Sequence, residues 1–130
     1  MSIKPRDLRL AAERQAAQAI TEVDRRSVIS RAYYAAYHRC RRWERQLPYP
    51  SPVATGGGTH ASLIARLQAP DARCGDEVRA KAQALSALLR GARTRRVLAD
   101  YQLREEVDAQ AVLDQLDATR QVFEQSASSV

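Results

Sequence analysis

The sequence predicts an all-α fold, an up-and-down helical bundle of four to five helices. Three observations carry that prediction. Alanine is abundant, while glycine and proline number only five each in 130 residues; alanine loses no side-chain entropy in a helix, so this balance favours helix over sheet. Apolar residues recur at steps of three and four in successive segments, the period of a helix with one buried stripe. No segment alternates apolar and polar residues as a half-buried strand does. With 45% apolar residues and an ordinary domain length, a single domain over residues 1–125 is expected, with 126–130 as a frayed tail.

The elements follow in order. Leu8, Ala12, Ala16 and Ala19 predict a first helix from Pro5 to Ile20, with Pro5 in a first turn that has no use for its missing N–H. Val28, Ala32, Ala36 and Cys40 step by four, with Ile29, Tyr33 and Tyr37 beside them, and predict a long helix from Asp24, its cap, to Arg45. Three prolines, Pro48, Pro50 and Pro52, forbid its continuation and open a loop that runs through Gly56-Gly57-Gly58 to Thr59. Thr59 caps a short helix over His60–Leu67, and Pro70 and Gly75 punctuate the next connection. A long helix over Asp76–Arg96 carries Val78, Ala82, Leu85, Leu89 and Ala92 on one stripe, with Gly91 marking close packing or a bend. Leu98–Glu106 is polar and reads as a turn, and Val112, Leu116 and Phe123 predict a last helix over Asp108–Gln125.

The formal charge is +6, and the excess is arginine, since Lys4 and Lys81 are the only lysines. Guanidinium groups bind phosphate in a fixed fork, so this balance suits nucleic acid or an acidic protein; a set of solvated helix faces explains it equally well. Cys40 and Cys74 lie far apart and form no CxxC pair, so neither a zinc site nor a disulfide is expected, and no cofactor or metal is implied. The charged start resembles no leader, and no apolar run is long enough for a membrane span, so the expected compartment is the cytoplasm.

Three constellations can carry chemistry. Arg31 and His38 are seven residues apart, about 20° short of two turns, so they share a helix face with Tyr34 between them and Ser27 and Arg42 extending the row. Arginine can stabilise charge on a phosphoryl group and histidine can move protons near neutral pH; core or interface tyrosines and a satisfied histidine are the structural alternative. Arg90, Arg93, Arg95 and Arg96 form a positive focus near a predicted helix end, with Asp100 and Tyr101 close behind to orient an arginine or a partner. Gly56-Gly57-Gly58-Thr59-His60 is no P-loop, since no Gly-Lys-Ser/Thr follows, but His60 is the alternative proton-transfer residue. No serine sits in a Gly-x-Ser-x-Gly elbow, and no carboxylate pair stands out.

The run Ser30-Arg31-Ala32-Tyr33-Tyr34-Ala35-Ala36-Tyr37-His38 resembles the second helix of HEPN domains, the helical "higher eukaryotes and prokaryotes nucleotide-binding" modules. Thr59-His60-Ala61-Ser62-Leu63-Ile64, Arg96-x-x-Ala99-Asp100-Tyr101 and a closing amphipathic helix extend the resemblance over residues 24–123. It implies a helical bundle that pairs with a second copy. It also implies either a metal-independent ribonuclease of toxin–antitoxin, phage or CRISPR-linked defence, or the partner of a small nucleotidyltransferase. On the first reading Arg31, Tyr34 and His38 are catalytic, Arg42, Arg93, Arg95 and Arg96 bind RNA phosphate, and the substrate's own 2′-hydroxyl attacks. On the second the chain is a non-catalytic dimeric module, and Asp100, Tyr101 and His60 face the partner, with Tyr101 accepting a nucleotidyl group. Nuclease members pair an arginine with a histidine across four to six intervening residues, many of them late in the chain; here no histidine follows His60, and the Arg31-x6-His38 pair has that spacing but stands on the earlier helix.

Overall fold

A computed structural model of the chain describes residues 2–19, 21–53 and 58–127. It is all-helical, with α1 (Pro5–Ala16), α2 (Glu22–Glu44), α3 (Thr59–Gln68), α4 (Asp76–Tyr101) and α5 (Ala109–Gln125), plus a short 3₁₀ turn over Ala72–Cys74. The arrangement agrees with an up-and-down bundle. The predicted glycine run falls partly outside the described residues, at Gly56 and Gly57, as do residues 128–130 of the predicted tail.

Local chemistry sets the helix starts. Asp7 Oδ2 accepts from the Lys4 backbone N–H at 2.9 Å in α1. At α2, Thr21 Oγ1 accepts from Asp24 N and the Asp24 carboxylate accepts from Thr21 N, a reciprocal capping box. The cap is therefore Thr21 rather than the expected Asp24, which sits at the third helical position. Gly58, not Thr59, precedes α3, and Thr59 is its first helical residue. Gly75 stands before α4 at φ +89°, a left-handed backbone that favours glycine. Asp108 Oδ1 caps α5 through Ala111 N at 2.9 Å.

Two ends depart from expectation. α1 stops at Ala16, where Gln18 N–H and Ala19 N–H bond carbonyls three residues back and tighten the chain toward α2. Helix α4 continues to Tyr101, so Leu98 to Tyr101 are helical rather than a turn. The cause lies on α2: the Arg26 guanidinium donates to the carbonyls of Leu98 (3.1 Å), Ala99 (2.9 Å), Gln102 (3.4 Å) and Glu105. Ala99 O is an acceptor that the helix end leaves over, while Leu98 O and Gln102 O also accept from the backbone N–H groups of Gln102 and Glu105; the added donors come from a side chain far away in sequence. Glu22 holds that guanidinium at 2.8 Å and accepts from Val107 N, and Arg25 Nε donates to Val107 O at 2.7 Å. α4 runs unbroken through Gly91, where a Cβ would meet only the flexible Arg95 guanidinium, 3.5 Å away. Neither a bend nor close packing explains that glycine.

α2 is the central helix and packs against α1, α3, α4 and α5. Its carboxyl-terminal half, with Tyr33, Tyr37, Cys40 and Trp43, forms the larger core with Leu63 and Leu67 of α3 and Leu85 and Leu89 of α4. Its amino-terminal half packs Val28 and Ile29 on Ala99, Val107 and Val112. Both cysteines are free, and burial pushes the Cys40 thiol up to about 12. Ser126, placed in a frayed tail by the sequence reading, is buried: Arg39 Nε donates to its hydroxyl at 2.8 Å and Arg39 Nη2 to its carbonyl at 3.2 Å. No helix among the described residues is long and apolar enough to cross a membrane.

Candidate functional site

The site grows from the middle of α2. Arg31, Tyr34 and His38 line one open depression of about 540 Å³, with Ser27 and Ser30 from the same helix, Leu8 from α1 and Asp100 from α4. Arg31 and His38 are exposed, Tyr34 is half-buried, and the Tyr34 and His38 rings lie nearly parallel with centroids 6.3 Å apart. The helical spacing thus delivers Arg31 and His38 to solvent, while Tyr34 between them packs against the edge of the core. Tyr33 and Tyr37, one turn apart on the neighbouring face, are core rings.

α4 supplies the floor. Arg96 is largely buried, with its guanidinium carbon 5.5 Å from the centroid of Tyr34 and 5.2 Å from that of Tyr101, in cation–π range. Its Nη2 donates to the Tyr34 hydroxyl at 3.0 Å and to the Tyr101 hydroxyl at 3.3 Å. Its Nε lies 2.9 Å from Asp100 Oδ2, an ion pair off the line of a hydrogen bond. Asp100 also accepts from Ser30 Oγ at 3.1 Å, which ties α4 to α2 beside the depression. Arg96 therefore orients Tyr34 and Tyr101 from beneath and is not an open phosphate ligand.

α3 closes the other side. The Tyr33 hydroxyl and His60 Nδ1 are 2.7 Å apart, and the His60 ring lies 4.3 Å from Tyr37 and 6.1 Å from Tyr34 between centroids. Burial pushes the Tyr33 phenol well above its ordinary value, so it stays protonated beside Nδ1. Burial, then Arg96, Arg93 and His38, lowers the His60 pKa. His38 is lowered too, by burial and then by Arg41 and Arg45. Both imidazoles are neutral at pH 7, the form that accepts a proton.

The remaining predicted residues divide. Arg42 is exposed and lines a second depression with His38. Arg93 is exposed, and its charge acts on both Tyr33 and His60, so it belongs to the same face. Arg95 does not belong there. Its Nε donates to Gln115 Oε1 at 2.7 Å, on the α5 side of α4, so the expected phosphate ligand is an internal strut. Tyr101 is 66% exposed and also borders a separate surface hollow with Leu103 and Glu105. Ser30 at the hollow and Arg26 at the end of α4 are the positions that sequence reasoning passed over. Ser30 had a signal, since Ser30, Tyr34 and His38 recur every four residues; Arg26 had none. No group of three or more His, Cys, Asp or Glu side chains among the described residues is placed to hold a metal ion.

Compared with protein-family models, curated proteins and solved structures, the chain matches none. What the site does is read from its own residues.

Proposed function

We propose that the chain is an RNA-handling module of HEPN type that pairs with a second copy and binds, and cleaves, an RNA strand across the Arg31–Tyr34–His38 depression. One observation carries the reading: an exposed arginine with no ion-pair partner among the described residues and a neutral, exposed histidine share one open hollow, seven residues apart on a rigid helix. Arg31 binds a phosphodiester oxygen. His38 takes the proton of the neighbouring 2′-hydroxyl, whose oxygen attacks phosphorus. The 5′-oxygen leaves with a proton supplied by water. The products are a 2′,3′-cyclic phosphate and a free 5′-hydroxyl. A base, an acid and cationic charge suffice for these steps. The exposed apolar side chains Val23, Tyr101 and Leu103 are surfaces for the second copy.

Purified protein incubated with RNA in EDTA tests this, with Arg31→Ala and His38→Ala alongside and circular dichroism as the fold control. Cleavage that persists in EDTA, leaves cyclic phosphate ends and disappears in His38→Ala supports the reading. Folded wild-type protein that neither cuts nor binds RNA overturns it. Light scattering reads the dimer.

A second reading rests on Tyr101. Its phenol is exposed and accepts from Arg96, an arrangement suited to a phosphoryl acceptor. On that reading the chain is a non-catalytic partner of a nucleotidyltransferase. The Tyr101 oxygen attacks the α-phosphorus of a nucleoside triphosphate, pyrophosphate leaves, and the phenol proton passes to solvent. A nucleotidyl mass increment after incubation with such an enzyme, absent in Tyr101→Phe, supports it.

A further inference from the structure

The depression at Arg31 is not isolated. Leu8 of α1 lines it and also lines two others, of about 470 Å³ and about 450 Å³. His38 is shared between the first and second, Arg31 between the first and third, and Ile3 between the second and third. The three hollows are therefore one trough, with α2 as its cationic bank and the start of α1 as its apolar bank.

The cationic bank is regular. Arg31, His38, Arg42 and Arg45 fall within an arc of about 60° at 100° per residue, and they span 14 steps, about 21 Å. The side chains of Arg31, Arg42 and Arg45 are exposed and make no ion pair or hydrogen bond among the described residues, whereas Arg9, Arg26, Arg66 and Arg120 are each matched to a carboxylate. Two carboxylates border the trough, and both are engaged: Asp7 with the Lys4 N–H, and Asp100 with Ser30 and Arg96. Mid-way along, Tyr34 and His38 present two nearly parallel rings.

We infer that this trough is a docking track for an extended single strand of nucleic acid, running along α2 beyond the reacting centre, with Arg42 and Arg45 gripping phosphates that take no part in cleavage. The inference rests on the RNA reading above and adds the strand's path, its length and the role of α1. An extended strand spaces its phosphates about twice as far apart as the roughly 3.4 Å rise of a duplex strand, so the track accommodates about four phosphates. Planar guanidinium forks match phosphate oxygens, the ring pair offers a face for a base, and Ile3 and Leu8 offer apolar contact; that combination favours a nucleic-acid strand over an acidic peptide.

The test is fluorescence anisotropy with 5′-labelled oligouridylates of 3, 6, 9 and 12 nucleotides at several salt concentrations. Affinity should climb between the 3-mer and the 6-mer and then level off. Three phosphate contacts give a log–log salt slope of about −2 on a single strand, or roughly an 18-fold loss of affinity between 50 and 200 mM salt. The double variant Arg42→Gln/Arg45→Gln should reduce that loss to roughly 3-fold. Arg14→Gln, on the exposed far turn of α1, should leave the slope unchanged. Wild-type binding whose salt slope survives in the double variant overturns the track while leaving the RNA reading intact. No binding of any oligomer overturns both. Displacement of the RNA by polyglutamate at equal charge concentration overturns the choice of a strand over an acidic peptide.

Discussion

The two sides of α4 place neighbouring arginines in opposite roles. Toward α5, Arg95 donates to Gln115, whose amide donates to Ala92 O at 3.0 Å and Ile29 O at 3.2 Å, while Thr119 donates to Ala32 O at 3.2 Å. Gln115 and Thr119 are buried, and their polar groups are used up inside the chain. Toward α2 and α3, Arg96 bonds Tyr34 and Tyr101, and His60 bonds Tyr33, but the group ends at a rim where Arg31, His38 and Tyr101 meet solvent. A saturated polar group fixes helices in place; an incompletely enclosed one keeps bonding capacity for something outside.

Substitutions on the two sides should separate stability from chemistry. His38→Ala should lower RNA cleavage by roughly 10²–10⁴-fold, the usual contribution of a general base, while its unfolding midpoint in urea stays close to wild type because the side chain is exposed. Gln115→Leu should do the reverse. It removes two amide hydrogen bonds and the acceptor of a half-buried guanidinium, at a cost of about 3 kcal/mol in urea unfolding, with cleavage per folded molecule little changed. Tyr34→Phe stands between the two. Loss of the hydroxyl that accepts from Arg96 should cost about 1 kcal/mol of stability and weaken RNA binding as well.

Acid should act on the open side. His60 and His38 have lowered pKa values, so the folded state binds fewer protons than the unfolded state just below pH 6.5. Stability is full above about 6.5 and falls as pH drops through the folded values. His60→Gln should flatten that part of the stability–pH curve measured by thermal melts from pH 7.5 to 5. The smallest effect is expected within α4 itself: Gly91→Ala should stabilise by up to about 1 kcal/mol, since the new methyl meets only a flexible side chain.

Much of this was legible from local spacing. The seven-residue separation of Arg31 and His38 placed them on one face of α2 with Tyr34 between, and the structure keeps them together in one hollow. The capping box at α2 was also local, as Thr21 and Asp24 stand three apart, but the reading stopped at the aspartate. Arg95 and Arg96 read as one basic patch because both are arginine. Their positions said more: both fall between Ala92 and Ala99 on the buried stripe of α4, so neither could be an ordinary solvated arginine. Gln115 likewise interrupts the apolar stripe of α5 between Val112 and Thr119. The end of α4 was beyond local reasoning, because the side chain that satisfies Leu98 and Ala99 belongs to Arg26, 72 and 73 residues earlier.

The Gln115 amide has a consequence during synthesis. Its contact with Ile29 joins positions 86 residues apart. A ribosome adding about 5–20 residues per second needs roughly 4–17 s to cover that distance. Throughout that interval the newly made α2 has its face toward α5 uncovered, with Ile29 and Ala32 still waiting for the helix that will bury them. Nascent chains halted after α4 should therefore be sticky and readily held by chaperones, and release of α5 should be the step that ends the association.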